Sequence, residues 1–222
     1  SWRMEPSLTA MVSELFYEGR LNANPGNCEN RIEWAKPCQS KAGLLTPQQG
    51  LVFDSVEHSG NSVCSEEEIN RIAELVDALL GGIYQHAKAG GIEKSKLTPE
   101  KILVTAPYNV QVNRLKQRLN GRARVGTVDK FQGQEAPVAI HSLTASNGEE
   151  APRGLSFLLE PNRLNVAISR AQCLSIVVGS PGLASGVANT VAEAEQINRL
   201  CRVIGKRKAE TIAMRLDPLE NR

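Results

Sequence analysis

The stretch Gly126-Thr-Val-Asp-Lys-Phe-Gln-Gly-Gln-Glu135 decides how the chain is read. On either side, residues 124–128 and 137–143 have the apolar character of buried strands, and between them a polar turn presents Gln132, Gly133 and Glu135 together. In open parallel sheets ligands gather at the carboxyl ends of strands, where the departing loops converge and helix starts offer free N–H groups. Taken by itself, the same turn also reads as an ordinary connection tightened by a glycine.

Working outward, strands alternate with helices. Residues 51–56 form an expected strand, followed by a helix in which Ser65 and Glu68 make a capping box and Ile69, Ile72, Ala73, Val76, Leu79 and Leu80 share one face. A second unit repeats this with a strand at 102–106 and a helix at 109–119. Pro161 opens another helix with Leu164, Ala167, Ile168 and Ala171 inward and Arg163 and Arg170 together along its edge, before a continuous apolar strand at 174–179. A short amphipathic helix is expected over 7–17 and a helical run from Val191 to about Ile204. Residues 22–48 read as a long loop, 88–98 as a surface connection and 146–154 as a flexible tract. The basic triplet 206–208 reads as a solvated helix end. Such alternation predicts an α/β fold with a mostly parallel sheet and helices on both faces.

Composition is that of a soluble globular protein, 222 residues with 41% hydrophobic and 23% charged. A net charge of +2 does not by itself announce a nucleic-acid binder. No apolar run approaches the roughly 18 residues of a membrane span and no signal-peptide pattern opens the chain, so a cytoplasmic location is expected. The five cysteines lack Cys-x-x-Cys pairing and the three histidines lack ligand spacing, so no metal site is expected and His58, His86 and His141 read as structural.

Three segments together carry a resemblance. Residues 102–111 (ILVTAPYNVQ), the Gln-Gly-x-Glu turn, and residues 161–172 (PNRLNVAISRAQ) resemble motifs IV, V and VI of superfamily 1 helicases, in the branch of the nonsense-mediated-decay RNA helicase and the replication helicase–nucleases. Residues 2–8 (WRMEPSL) and 14–20 (ELFYEGR) also resemble that branch, at the start of its second motor domain. The likeness spans roughly residues 1–180. It implies a RecA-like P-loop NTPase fold without its own Walker A loop: residues 1–50 an entry segment and long loop, 51–185 the core, and 186–222 a final helix and tail.

The resemblance also implies roles. Arg170 matches the arginine finger and Arg3 a second arginine reaching the γ-phosphate; Glu135 matches the ribose-binding carboxylate beside Gly133 and Gln132, and Trp2 an aromatic next to the adenine. Arginine suits this work because its charge persists and its fork engages phosphate oxygens bidentately. Thr127, Pro107 and Tyr108 match segments bordering single-stranded nucleic acid, here expected to be DNA, where hydroxyl and turn N–H groups hold phosphates without reading bases. The implied cofactor is ATP with Mg2+. Its lysine and magnesium ligands are expected in a preceding motor domain, since this chain has no Gly-x-x-x-x-Gly-Lys-Ser/Thr loop, and a RecB-like nuclease domain upstream is a further implication. The chain is therefore read as a piece of a longer protein, inactive alone. Glu5, Ala106 and Gln172 depart from the family pattern, which has His, Ser or Thr, and a second Arg there. From the residues alone, Glu135 also reads as a helix-initial acid favoured by the dipole, Trp2 and Tyr108 as packing, and the whole as a non-catalytic RecA-like binding module.

Overall fold

The computed structural model describes residues 1–40, 43–88, 91–186, 188 and 190–205; the basic triplet 206–208 lies outside them. In chain order the elements are α1 (Pro6–Phe16), β1 (Arg31–Glu33), β2 (Gln39–Ser40), β3 (Gly43–Leu44), β4 (Gly50–Ser55), α2 (Glu66–Leu79), β5 (Ile83–Lys88), β6 (Gly91–Lys96), β7 (Ile102–Thr105), α3 (Asn109–Leu119), β8 (Arg124–Gly126), β9 (Ala136–Ser142), α4 (Gly154–Leu158), α5 (Pro161–Ile168), β10 (Ala171–Gly179) and α6 (Val191–Val203).

Five strands pair in the order β4-β10-β9-β7-β8, every pairing parallel. Every residue of β7 and β9 is buried, as expected where helices cover both faces and water reaches neither. Alternate side chains divide between two cores. Val138, Ile140, Ile176 and Val178 pack with Ile69, Ile72 and Leu115 of α2 and α3. Ala139 and Val177 pack with Leu8 and Val12 of α1, Leu164 and Ile168 of α5, and Leu200 of α6. This is the parallel α/β arrangement that the alternation predicts, and it agrees with the RecA-like fold that the resemblance implies.

Three expectations are corrected. Residues 22–48 are not simply loop, and 88–98 is not simply a surface connection: β1, β5 and β6 form a separate antiparallel sheet, with Ile32 opposite Tyr84 and Ile83 opposite Lys96. The sheet attaches where β10 and β7 begin: the Gln48 carbonyl accepts from the Ile32 N–H of β1 (2.7 Å) and from Cys173 Sγ of β10 (3.4 Å), and Lys101 Nζ donates to the Lys96 carbonyl of β6 (3.0 Å). Helix α5 is also shorter than expected. It closes at Ile168, where the Ser169 N–H donates to the Asn165 carbonyl, because β10 already begins at Ala171.

The capping box at Ser65 is half formed. Ser65 Oγ accepts from the Glu68 N–H at 3.2 Å, but the Ser65 N–H is taken by Gln111 Oε1 at 2.9 Å. Glu68 instead turns inward, wholly buried, and accepts from Ser142 Oγ (2.5 Å) and the Thr144 N–H (3.0 Å). His58 Nε2 sits 3.0 Å from the same carboxylate, and His58 Nδ1 2.7 Å from Ser146 Oγ. The network fixes the turn that leaves β9, where Thr144 adopts a left-handed backbone with φ 73°.

Candidate nucleotide and nucleic-acid sites

Because β8 and β9 run parallel, residues 127–135 must carry the chain from the carboxyl edge of the sheet back to its amino edge. The two ends of this one segment therefore belong to two different sites. Thr127 stands at the carboxyl ends of the strands and Glu135 at the amino ends. This corrects the expectation that the whole segment would face a ligand at the carboxyl ends.

At the amino edge, Glu135 immediately precedes β9, so it is not a helix-initial residue. One of its oxygens pairs with Arg3 Nε and the other accepts from Gln172 Nε2 at 2.7 Å. Arg3 Nη1 also donates to the Ser169 carbonyl at 3.1 Å. The Glu5 N–H to Gln172 carbonyl bond, 2.8 Å, lays the amino-terminal segment along this edge. Glu5 itself is buried and caps α1, accepting from the Ser7 and Leu8 N–H groups.

Arg170 lies between α5 and β10, with only 8% of its surface exposed. Its Nε donates to the Val166 carbonyl (3.0 Å) and its Nη1 to the carbonyls of Gln134 (3.0 Å) and Phe131 (3.4 Å). Burial, then the neighbouring Arg3 charge, pulls its pKa below the ordinary guanidinium value. The guanidinium thus braces the polar turn from beneath. Arg163 does not accompany it: its guanidinium stacks on Phe157 at 4.5 Å, at the opposite edge of the sheet. Seven residues put two side chains on one helical edge only while the helix continues, and α5 stops before Arg170.

Gln132 and Gly133 are exposed in the turn. Gly133 has φ +80°, with open space where a Cβ would stand, so its glycine serves the left-handed backbone rather than close approach of another group. Trp2 is 89% exposed beside Arg3, a flat apolar ring presented to solvent at the same edge.

At the carboxyl edge, a cavity of about 260 Å³ is lined by Pro107, Asn109, Thr127, Asp129 and His141, among others. Tyr108 is not part of the lining; it is buried, its ring 5.7 Å from Phe157. His141 Nδ1 lies 2.8 Å from Thr105 Oγ1, and burial pushes its pKa down to about 4. It therefore lines the cavity as neutral imidazole at neutral pH. A larger depression of about 650 Å³ lies nearby between Gly148 and Gly182, lined by Glu149 and Glu193, and contains none of the predicted residues. Its carboxylates have the wrong sign for a phosphate, so size is a poor guide to function here. Among the described residues, no group of three or more His, Cys, Asp or Glu could hold a metal, and no helix is long and apolar enough to cross a membrane.

The motifs named Arg3, Glu135 and Arg170, which the structure brings together at the amino edge, but not their bonds. The Glu135–Gln172 contact, the Glu68–His58 network and the arginines stacked on Phe157 were all missed. Only Gln172, marked by its departure from the family pattern, carried a visible sequence signal.

Comparison with known proteins matches residues 1–182 to an AAA domain family. The chain is 32% identical over 201 residues to the putative helicase mov-10-B.1 of Danio rerio, covering 82% of this chain and 19% of that protein. It is 31% identical over 197 residues to a regulator of nonsense transcripts 1 homolog of Arabidopsis thaliana, covering 83% and 14%. With the ATP-dependent helicase upf1 of Schizosaccharomyces pombe it shares 27% identity over 198 residues, covering 81% and 19%. The chain thus spans about a fifth or less of the length of these relatives.

Proposed function

The chain belongs to the AAA domain family of superfamily 1 helicases, in the nonsense-decay branch, and from that premise we propose that it is the second motor domain of an ATP-dependent nucleic-acid helicase. The observation that carries the proposal is the convergence of Arg3, Glu135 and Arg170 at the amino edge of the sheet. In this reading the first motor domain presents ATP and Mg2+ against that edge. Glu135 takes the ribose hydroxyls, Trp2 lies against the adenine, and Arg170 and Arg3 approach the γ-phosphate. Bound Mg2+ would neutralise phosphate charge, with ligands supplied by the other domain. Arg3 reaches a phosphate only by leaving Glu135, an exchange in which one anion replaces another around a charge that persists at every working pH.

The carboxyl edge, with Thr127 and Pro107, is proposed to take the single strand. Its hydroxyl and turn groups suit phosphate contacts rather than base reading. The expected DNA track draws no support from the relatives, of which the Arabidopsis thaliana one is named for nonsense transcripts, and the contacts proposed here suit either polymer. A fused nuclease and a role in DNA repair likewise draw no support from those names.

A second reading has its own observation. Arg170 is satisfied by three carbonyls and Arg3 by Glu135, as in a purely structural brace within a non-catalytic module. Steady-state ATP turnover separates the two. The motor reading expects nucleic-acid-stimulated hydrolysis by the two-domain protein and none by this chain alone, which lacks a Gly-x-x-x-x-Gly-Lys-Ser/Thr loop. Robust hydrolysis by the 222-residue chain would overturn the division of labour, and none by the two-domain protein would favour the binding module.

A further inference from the structure

Two arginines outside the motif-derived strand contacts stand over the carboxyl-edge cavity. The guanidinium of Arg153 lies 4.0 Å, and that of Arg163 4.5 Å, from the centroid of the Phe157 ring. All three residues line the cavity with Thr127 and Asn109. Among the described residues, the arginine ion pairs involve Arg3, Arg20, Arg31, Arg71, Arg114, Arg122 and Arg202, but neither of these two. Two like charges held against one ring repel each other. A guanidinium stacked on an aromatic face keeps its in-plane N–H groups directed outward, and those donors match the spacing of phosphate oxygens.

The surroundings favour an anion of that kind. Helix α3 begins at Asn109, which lines the cavity, and its cap residue, Tyr108, supplies no side-chain hydrogen bond, so the positive end of the helix lies beside the cavity without that partner. Neutral His141 adds no charge, and Asp129 sets one negative charge against two positive ones. We propose that Arg153 and Arg163, carried on Phe157, form a paired clamp for a backbone phosphate of the strand that passes Thr127 and Pro107. This rests on the motor reading and supplies the charge that its hydroxyl and turn contacts lack. Recognition would be independent of base, because both guanidinia engage phosphate oxygens alone.

The test follows binding of fluorescent oligothymidylate and oligouridylate to the intact protein across a salt series. Arg153→Gln and Arg163→Gln are each expected to weaken both oligomers several-fold at low salt. The double variant is expected to flatten the slope of log K against log salt by about 0.7, the contribution of one phosphate on a single strand. Arg163→Lys should retain part of the affinity, since charge remains without the fork. Thermal midpoints accompany each variant, and where a Gln variant unfolds the Lys variant is read instead, wild-type affinity in it counting against the clamp. A folded double variant with wild-type affinity and slope overturns the proposal while leaving the motor reading standing. A wild-type protein that binds neither oligomer overturns both. Inorganic phosphate distinguishes the other source: if it protects wild type but not the double variant from thermal unfolding while oligomers bind both alike, the site takes free phosphate and the strand clamp is wrong.

Discussion

Glu135 shows why a residue's partners matter as much as its type. Both of its oxygens are engaged, by Arg3 and by Gln172 Nε2, which holds the carboxylate at the amino edge in one orientation. A ribose contact far from the γ-phosphate is the same in ground and transition states, so Glu135→Ala should raise the KM for ATP more than it lowers kcat. An unchanged KM would reduce Glu135 to a partner of Arg3. Gly133 makes a narrower claim: with φ +80°, Gly133→Ala should cost about 1–2 kcal/mol of stability, read from a denaturant midpoint. His141 sets a pH dependence. Its pKa falls from 6.5 to about 4 on folding, so the unfolded chain binds the extra proton between those values, and stability is full above about pH 6.5 and lost as pH falls toward 4. The slope should approach about 1.4 kcal/mol per pH unit for this one group, and His141→Gln should flatten that part of the profile; a variant with the wild-type profile would contradict the assignment.

Among the elements, α2 carries the clearest stability prediction. Its Glu68 receives the Thr144 N–H and Ser142 Oγ and faces His58 with no exposure to water, so Glu68→Ala would leave several buried polar groups without partners. The expected cost is about 3–5 kcal/mol in urea unfolding; a loss below about 1 kcal/mol would mean that the network contributes little. The sequence foresaw α2 because its apolar residues recur at helical spacing, yet misjudged Glu68, since a capping box and an inward-facing carboxylate share one local pattern. The central strands were legible for the same reason: burial on both faces leaves continuous apolar runs such as residues 174–179. β1, β5 and β6 were not, because they are short or half polar, and β1 is fixed by a partner some fifty residues away, as Ile32 opposite Tyr84 shows. In the site, residues inside contiguous motifs were named in advance. Contacts between distant segments, such as Glu135 with Gln172 or Arg170 with the Gln134 carbonyl, leave no period to read.

Across the whole molecule, the segment 127–135 joins two edges of one sheet, with a proposed strand site at Thr127 and a proposed nucleotide site at Glu135 and Arg170. Ligands at both edges can favour one closed arrangement of two motor domains only if each binds that arrangement better than the open one. Arg170 braces the turn between these sites and, in the motor reading, meets charge that develops as the γ-phosphate bond breaks. Its contribution therefore belongs in kcat rather than in strand affinity. Fingers of this kind are worth roughly a thousandfold or more, and Arg170→Lys should restore little of that because an ammonium lacks the bidentate fork. The most direct measurement is steady-state ATP turnover by the intact Arg170→Ala protein at saturating nucleic acid, with strand affinity and thermal midpoint taken on the same sample. The account predicts a folded variant with kcat reduced by about a thousandfold and near-normal strand affinity; near-normal kcat in that folded variant would contradict it.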